Sequence, residues 1–469
     1  MDHQKSCLIY IAGDVTNYSL VNYSLDGKNY DSFFSAHALW DALKTDKAVA
    51  LLPDSLITTE TKCKDDVEVL KKAYKNMLRD RASQLQSNSP TFDQFLNELE
   101  VEYIPNVGVG NSKVTDCNEN LVTEEKGGER RYKTVPYTKS RSPTFIYNTI
   151  YAVLNKYSRN YEKFIIDLTH GTNVLVSALL AVSTQFDAEV YAAPIMGAPS
   201  GTVEIVKLND IIEAMKDALK INLSIEKLDE RYLVDYTRKL RDLIPSNFDN
   251  YKDLIGRIKS TDLNKVNDFL WNLRNGFVVK SLDSMKILQQ YLQQLESDVS
   301  SLSKIYEEWY NKANNAFQKD NKIVLSNFIS TLKVKDVINY LNPGSDDVEK
   351  MLRILDKYID VEYYDKALSL GRELPVAECM SNHGGGKFDD NDRIYKNCDD
   401  FVTNYLKSKH SELLQYRNYL MHSGLSIDLK VEVTKDRRIT QGVNIDKSNI
   451  INYVKGSLKH HVEDVRRVI

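Results

Sequence analysis

The chain lacks most of the familiar means of cross-linking itself, entering a membrane or cradling a nucleotide. Its 469 residues include 5 cysteines (Cys7, Cys63, Cys117, Cys379 and Cys398), none in a Cys-x-x-Cys pair. Their odd number and wide spacing argue for a reducing compartment and against a zinc site. No apolar run reaches the length of a membrane span, and no basic segment followed by an apolar core opens the chain. A soluble cytoplasmic protein with no membrane partner is expected. There is no Gly-x-x-x-x-Gly-Lys-Ser/Thr, which argues against a P-loop NTPase, and no Gly-x-Gly-x-x-Gly after a strand. Net charge is only −4, so the chain as a whole is no electrostatic binder of nucleic acid. No ligand cluster suited to a two-metal site is visible, and no metal is expected.

What is present divides the chain. The length suggests two or three domains, and a hydrophobic fraction of 42% permits sizeable cores. Up to residue 209, short apolar strands alternate with helices. Strands are expected at Cys7–Ala12, Ala48–Leu52, Val101–Val107 and Phe164–Ile166, with a last hairpin from Ala188–Ala193 and Thr202–Leu208. Helices are expected at Phe33–Leu43, Lys64–Gln86, Phe145–Tyr157 and Val174–Val182. This alternation predicts a mostly parallel, Rossmann-like sheet. The polar stretch Gly110–Ser142 reads as a solvated insertion, or, more sharply, as a lid over an anionic ligand. From about residue 210 long amphipathic helices take over, including Ser281–Asn311 and Val348–Tyr358, punctuated by Pro245, Pro343-Gly344 and Pro375. Leu425–Val433 and Ile439–Ile445 read as a small β-hairpin within that helical part.

Two turns carry chemistry in the first part. After the strand at Phe164 comes Asp167-Leu168-Thr169-His170-Gly171-Thr172-Asn173, then a helix apolar nearly all round. A strand feeding a helix through a small polar turn places backbone N–H groups and the positive helix end at the carboxyl edge of a sheet. Asp167, Thr169, His170 and Asn173 are candidates to present side chains there. The bland alternative, a capped turn with no ligand, has comparable weight. Gly13-Asp14-Val15-Thr16-Asn17-Tyr18 follows the first strand and would open onto the same edge.

The second signal is Arg417-Asn418-Tyr419-Leu420-Met421-His422-Ser423-Gly424-Leu425. Arg417 and His422 lie a little over one helical turn apart. A guanidinium holds a phosphate bidentately and an imidazole moves protons near neutral pH. Together they suffice for metal-free RNA cleavage with the RNA's own 2′-OH as nucleophile. Asn418 adds a polar group beside Arg417. The plainer reading is a surface Arg and a helix-end His beside a glycine stop.

Taken together, the two signals resemble one family. Asp167 to Asn173 is similar to the Asp-x-Thr-His-Gly-x-Asn motif of CARF domains in type III CRISPR accessory ribonucleases. Arg417 to His422 resembles the HEPN signature Arg-x4-6-His, with Asn418 in the usual place. The resemblance implies a Rossmann-like CARF domain over 1–209, a helical linker over 210–345 and a helical HEPN ribonuclease domain with the small hairpin over 346–469. It implies that Gly13, Asp14, Thr16, Asn17, Asp167, Thr169, His170, Gly171, Thr172 and Asn173 bind a cyclic oligoadenylate, cyclic tetra-adenylate above all. It implies that Arg417, His422 and Asn418 of a homodimer or larger oligomer cleave single-stranded RNA without metal. The first turn departs from the Gly-Asn-Pro and Trp of relatives, keeping only Gly13. Gly371-Arg372-Glu373-Leu374 resembles a supporting helix of the family, with Arg372 behind the catalytic pair. Rival readings are a transcriptional regulator, disfavoured by the near-neutral charge from Asp346 onward, and an enzyme cleaving its own activator ring.

Overall fold

The computed structural model describes residues 4–60, 63–64, 66–86, 90–195, 201–239, 252–260, 263–307, 324–423, 425, 430–435, 437–442 and 445–469. They form two compact units, Met1–Glu213 and Ala214–Ile469.

The first unit is built on a six-stranded sheet. Its strands are β1 (Ser6–Ile11), β4 (Lys47–Pro53), β6 (Leu99–Ile104), β11 (Lys163–Asp167), β12 (Ala188–Ala192) and β14 (Val206–Lys207), in the order β14-β12-β11-β1-β4-β6. All neighbours are parallel except β12 and β14. The strands are apolar on both faces because helices cover both. Leu8 and Tyr10 of β1 pack with Leu39, Tyr74, Leu78 and Phe95 on one face. Cys7, Ile9 and Ile11 pack with Ile146, Ile150, Leu175 and Leu179 on the other. Burying each such large aliphatic side chain stabilises the unit by about 1.5–3 kcal/mol. Ser142 caps the Pro143–Tyr157 helix by accepting from the Thr144 N–H at 3.2 Å, with Pro143 at the first position as the sequence suggests. Strand order reverses at β1, which lies between β4 and β11, so the carboxyl ends of β1 and β11 flank a switch-point crevice.

Several expectations need correction. Residues 108–139 are not a featureless insertion. β7 (Gly108–Thr115) pairs antiparallel with β10 (Thr134–Lys139) and parallel with β5 (Ile57–Thr59), while β8 (Thr123–Lys126) and β9 (Glu129–Tyr132) form a hairpin. The partner that orders β7 is remote in sequence, and only its second half is buried. β2 (Val21–Leu25) and β3 (Lys28–Ser32) form an unforeseen hairpin, although Asp26-Gly27, both at positive φ, is a strong turn signal. In the expected last hairpin, β14 does pair back on β12, but β13 (Val203–Glu204) leaves to join β2. The odd, widely spaced cysteines also gave no sign of two pairings. Cys63 pairs with Cys117 and Cys379 with Cys398, at Cα separations of 5.7 and 5.8 Å, leaving Cys7 free and buried. Sequence separations of 54 and 19 concealed both pairs.

The second unit is helical. Residues from both 210–345 and 346–469, among them Leu270, Leu288, Phe328, Leu355, Leu374 and Val462, share one apolar cluster. The Tyr364–Asn382 helix packs against Asp347–Asp360, Arg393–Lys409, Ser411–Met421, Lys447–Gly456 and Leu458–Arg466. Pro375 lies inside this central helix rather than ending one, and Pro245 lies outside the described residues. Gly371 matters for packing, because a Cβ there would stand 3.0 Å from Leu458 Cδ1. The expected hairpin is present as β15 (Val431–Val433) against β16 (Ile439–Gln441), and part of each expected strand lies outside the described residues. No helix among the described residues is long and apolar enough to cross a membrane.

Candidate ligand and catalytic sites

The two turns of the first unit meet, as parallel neighbours must. Tyr10 at the end of β1 is in register with Asp167 at the end of β11. From these ends the Tyr18 hydroxyl reaches His170 Nδ1 at 3.0 Å, and the two rings stack with centroids 4.9 Å apart. Gly13 is required beneath them: a Cβ would collide with the Tyr18 hydroxyl and lie 3.4 Å from His170 Cβ. Gly171 has φ +124°, and a Cβ there would stand 2.9 Å from Ile11 Cδ1.

Several of the expected ligand-facing side chains are hydrogen-bonded within and around the two turns. Asp167 is 1% exposed. It accepts from the Thr169 N–H at 2.9 Å, from the Thr169 hydroxyl and from Ser35 Oγ at 2.6 Å. Thr169 Oγ1 also accepts from the Ala193 N–H at 2.9 Å, so its hydroxyl is committed to the loop. Asp14 accepts from Thr16 Oγ1 at 2.7 Å and from Lys113 Nζ, which also donates to Thr16 Oγ1 at 2.6 Å. Burial would raise the Asp14 pKa, but the hydrogen bonds from Lys113 and Thr16 and the Lys113 charge outweigh it and hold the carboxyl below its ordinary value.

The exposed residues at this edge are Asn17, Gly171, Thr172 and Asn173. The Asn173–Ser183 helix starts here, and Thr172 at its N-cap turns its hydroxyl to Asn106 Oδ1 at 3.1 Å instead of capping the helix. First-turn amides and the positive helix end are thus offered to an anion. Burial lowers the His170 pKa, keeping the ring neutral. Burial first, then Asp14 and Asp167, raise the Tyr18 pKa, so its phenol keeps its proton. A phenol donating to Nδ1 would place the ring hydrogen on Nε2, which is buried without a hydrogen-bond partner among the described residues. Lys113, Ser35, Asn106 and Tyr18 were not identified as site residues. Asn106, Lys113 and Ser35 lie 66, 99 and 132 positions from Thr172, Asp14 and Asp167, and Tyr18, at the end of the first turn, lies 152 from His170, so no local pattern marks these contacts.

The second unit holds the other candidates. The Ser411–Met421 helix carries Arg417 and Asn418, and His422 is its C-cap, with its N–H on Asn418 O at 3.0 Å. Residues five apart on an ideal helix point about 140° from each other, so Arg417 and His422 do not share a helix face. Instead His422 is exposed where the chain leaves the helix, and Ser423 at φ 53° makes the turn. Arg417 is half-buried. Its one ion pair is long, 3.9 Å to Glu373, and its Nε has no hydrogen-bond partner among the described residues. Arg372, by contrast, makes three side-chain hydrogen bonds, to Glu373 at 3.0 Å, Thr403 at 3.1 Å and Asp399. Arg372 therefore steadies Glu373, and Glu373 faces an arginine with donors to spare. Beside the helix end lies a mostly apolar cavity of about 670 Å³, lined by Tyr358, Ser369, Leu370, Glu373, Phe388 and Met421 among others.

The sequence model of the family described as "CRISPR system endoribonuclease Csx1, CARF domain" matches residues 7–210. Among solved structures, Enterococcus italicus Csm6 bound to cyclic hexa-2'-fluoro-hexa-dAMP is similar over 100% of this chain and 95% of that one. Its identity is 11% and the TM-score 0.25, values that carry no argument about this chain. No curated protein sequence matches. The first unit, a mostly parallel sheet with helices on both faces spanning the matched residues, is a CARF domain of the Csx1 type.

Proposed function

We propose that this protein is a metal-independent endoribonuclease acting on single-stranded RNA and switched on by a cyclic oligoadenylate, cyclic tetra-adenylate first among the rings. The CARF match supports the sensing half. The reading of a HEPN nuclease rests on one observation: Arg417, with unsatisfied donors, and the exposed His422 stand at the end of one helix. In this reading Arg417 binds the scissile phosphate and stabilises its developing charge. His422 moves a proton between the 2′-OH and the leaving 5′-oxygen. The RNA supplies the nucleophile, leaving a 2′,3′-cyclic phosphate and a 5′-OH. Asn418 helps to orient the phosphate.

The activator binds at the β1–β11 edge. Its phosphates meet the amides at the start of the Asn173 helix, with Asn17, Thr172 and Asn173 on its riboses and phosphates and His170 Nε2–H as a further donor. Asp14, Thr16, Asp167 and Thr169 hold the two turns in shape, and Gly13 and Gly171 permit the close approach. A two-fold pair of such edges suits a ring with repeated chemistry, so the working unit is a homodimer or larger oligomer. The ligand acts by favouring one conformation of that assembly. The test is cleavage of a labelled RNA by the purified protein with and without cyclic tetra-adenylate. Cleavage only with the ring supports the reading, and silence in both states with any ring size refutes it.

A further inference from the structure

Away from both sites, one cluster carries chemistry that neither uses. Cys379 on the central Tyr364–Asn382 helix and Cys398 on Arg393–Lys409 are 5% and 3% exposed and joined by the disulfide. His383 is the exposed C-cap of the central helix. A ring nitrogen of His383 and the two sulfurs all lie within 4.8 Å of one another. His383 Nδ1 is 3.0 Å from the Cys379 carbonyl oxygen. An N–H at Nδ1 donating to that carbonyl leaves a lone pair on Nε2, the tautomer of most metal-binding imidazoles. The three side chains line a cavity of about 360 Å³ with Ile394 and Phe401, which gives small solutes a way to the sulfurs.

We propose that the dithiol form of this cluster is a Cys2His site for a soft divalent cation of the zinc type, and that disulfide and metal are alternative cross-links of the same two helices. An external dithiol delivers two electrons and two protons to the S–S bond, yielding two thiols while closing to its own disulfide. The cation then displaces both thiol protons into solvent. Two thiolates and the neutral imidazole take three corners of a tetrahedron, and water takes the fourth. With no carboxylate among the three ligands, magnesium and calcium are disfavoured. The wide spacing that argued against zinc in the sequence hid this cluster, because a helix, a glycine loop and a second helix fold the three residues together. Either cross-link joins the helix of Arg372 and Glu373 to the helix of Asp399 and Thr403, and so bears on the ion pairs that hold Glu373 near Arg417.

The test uses the full chain with Cys63→Ser and Cys117→Ser, reduced by a dithiol that is then removed under anaerobic conditions, with Co²⁺ as the probe. The expected result is a thiolate-to-cobalt charge-transfer absorption with tetrahedral d–d bands, saturating at one ion per chain and displaced by Zn²⁺. The oxidised chain should show none, and Cys398→Ser should abolish it. His383→Gln, which alters an exposed side chain and spares the core, should weaken binding by at least about 10–100-fold, the cost of losing even a group behind a ligand. The proposal is overturned if the reduced chain shows no charge-transfer band, or if both substitutions leave the cobalt titration unchanged.

Discussion

Replacing Lys113 by Met keeps a long side chain but removes the ammonium that ties together Asp14 and Thr16 in the first turn. The Lys113 side chain is 11% exposed and that of Asp14 40%, so the pair is neither a surface nor a core ion pair. Breaking a buried pair costs about 3–5 kcal/mol and an exposed one about 0–1 kcal/mol. A charged hydrogen bond in water-accessible surroundings contributes about 1.5–3 kcal/mol, and the exposure of Asp14 puts the loss at about 1–2 kcal/mol. If the turn must be formed for the activator to bind, the dissociation constant for cyclic tetra-adenylate should rise about 5–30-fold. The stability effect should depend on pH in a definite direction. The Asp14 pKa lies below its ordinary value in the folded chain, so the stability it contributes is present above the ordinary carboxylate pKa and is lost as pH falls through the lowered one. Wild type should therefore melt above the variant at pH 7, and the gap should close in acid as Asp14 protonates. Calorimetric titration of the ring and thermal melts of the full chain at both pH values are the assays. An unchanged dissociation constant together with unchanged melting at pH 7 would refute the role given to Lys113.

Arg417→Ala and His422→Ala should each lower RNA cleavage by about 10²–10⁴-fold while activator binding stays as it was; ligand-stimulated cleavage at the wild-type rate in either variant removes this site from consideration. In the disulfide form, cleavage should survive excess chelator, and an RNA with a single 2′-deoxy at the cut position should resist. Loss of activity with chelator in that form, or cutting at the deoxy position, contradicts the 2′-OH mechanism. His170→Ala and Asn173→Ala should shift the activator titration to higher concentration, each by about 1.5–3 kcal/mol of affinity, with little change in rate at saturation. A titration midpoint that stays put in both variants shows that the ring does not sit on this edge.

The architecture of the first unit was largely legible because its signals are local. Burial on both faces of β1, β4 and β11 demands unbroken apolar runs, and those runs are written plainly at Cys7, Ala48 and Phe164. The pairs β2–β3 and β7–β10 escaped notice because their strands are mostly polar and half-exposed. Pro375 misled because a proline in a helix interior breaks the local rule. Here the helix is held by neighbours on several sides, and packing outweighs the lost hydrogen bond.

From its residues alone, the chain determined the alternation of strands and helices, the change to a mainly helical second half and the two polar motifs, since each depends on contacts within a few residues. Tertiary structure decided which motif side chains are spoken for. Asp14, Asp167 and Thr169 have the composition of ligand-binding groups, yet Lys113, Ser35 and the Ala193 N–H consume their hydrogen bonds. It also decided that Arg417 Nε is left without a partner among the described residues while Arg372 is tied to three side chains, and that Cys379, His383 and Cys398 meet. A side chain's capacity for hydrogen bonds is set by its type. Whether that capacity remains for a ligand depends on neighbours brought in from distant parts of the chain.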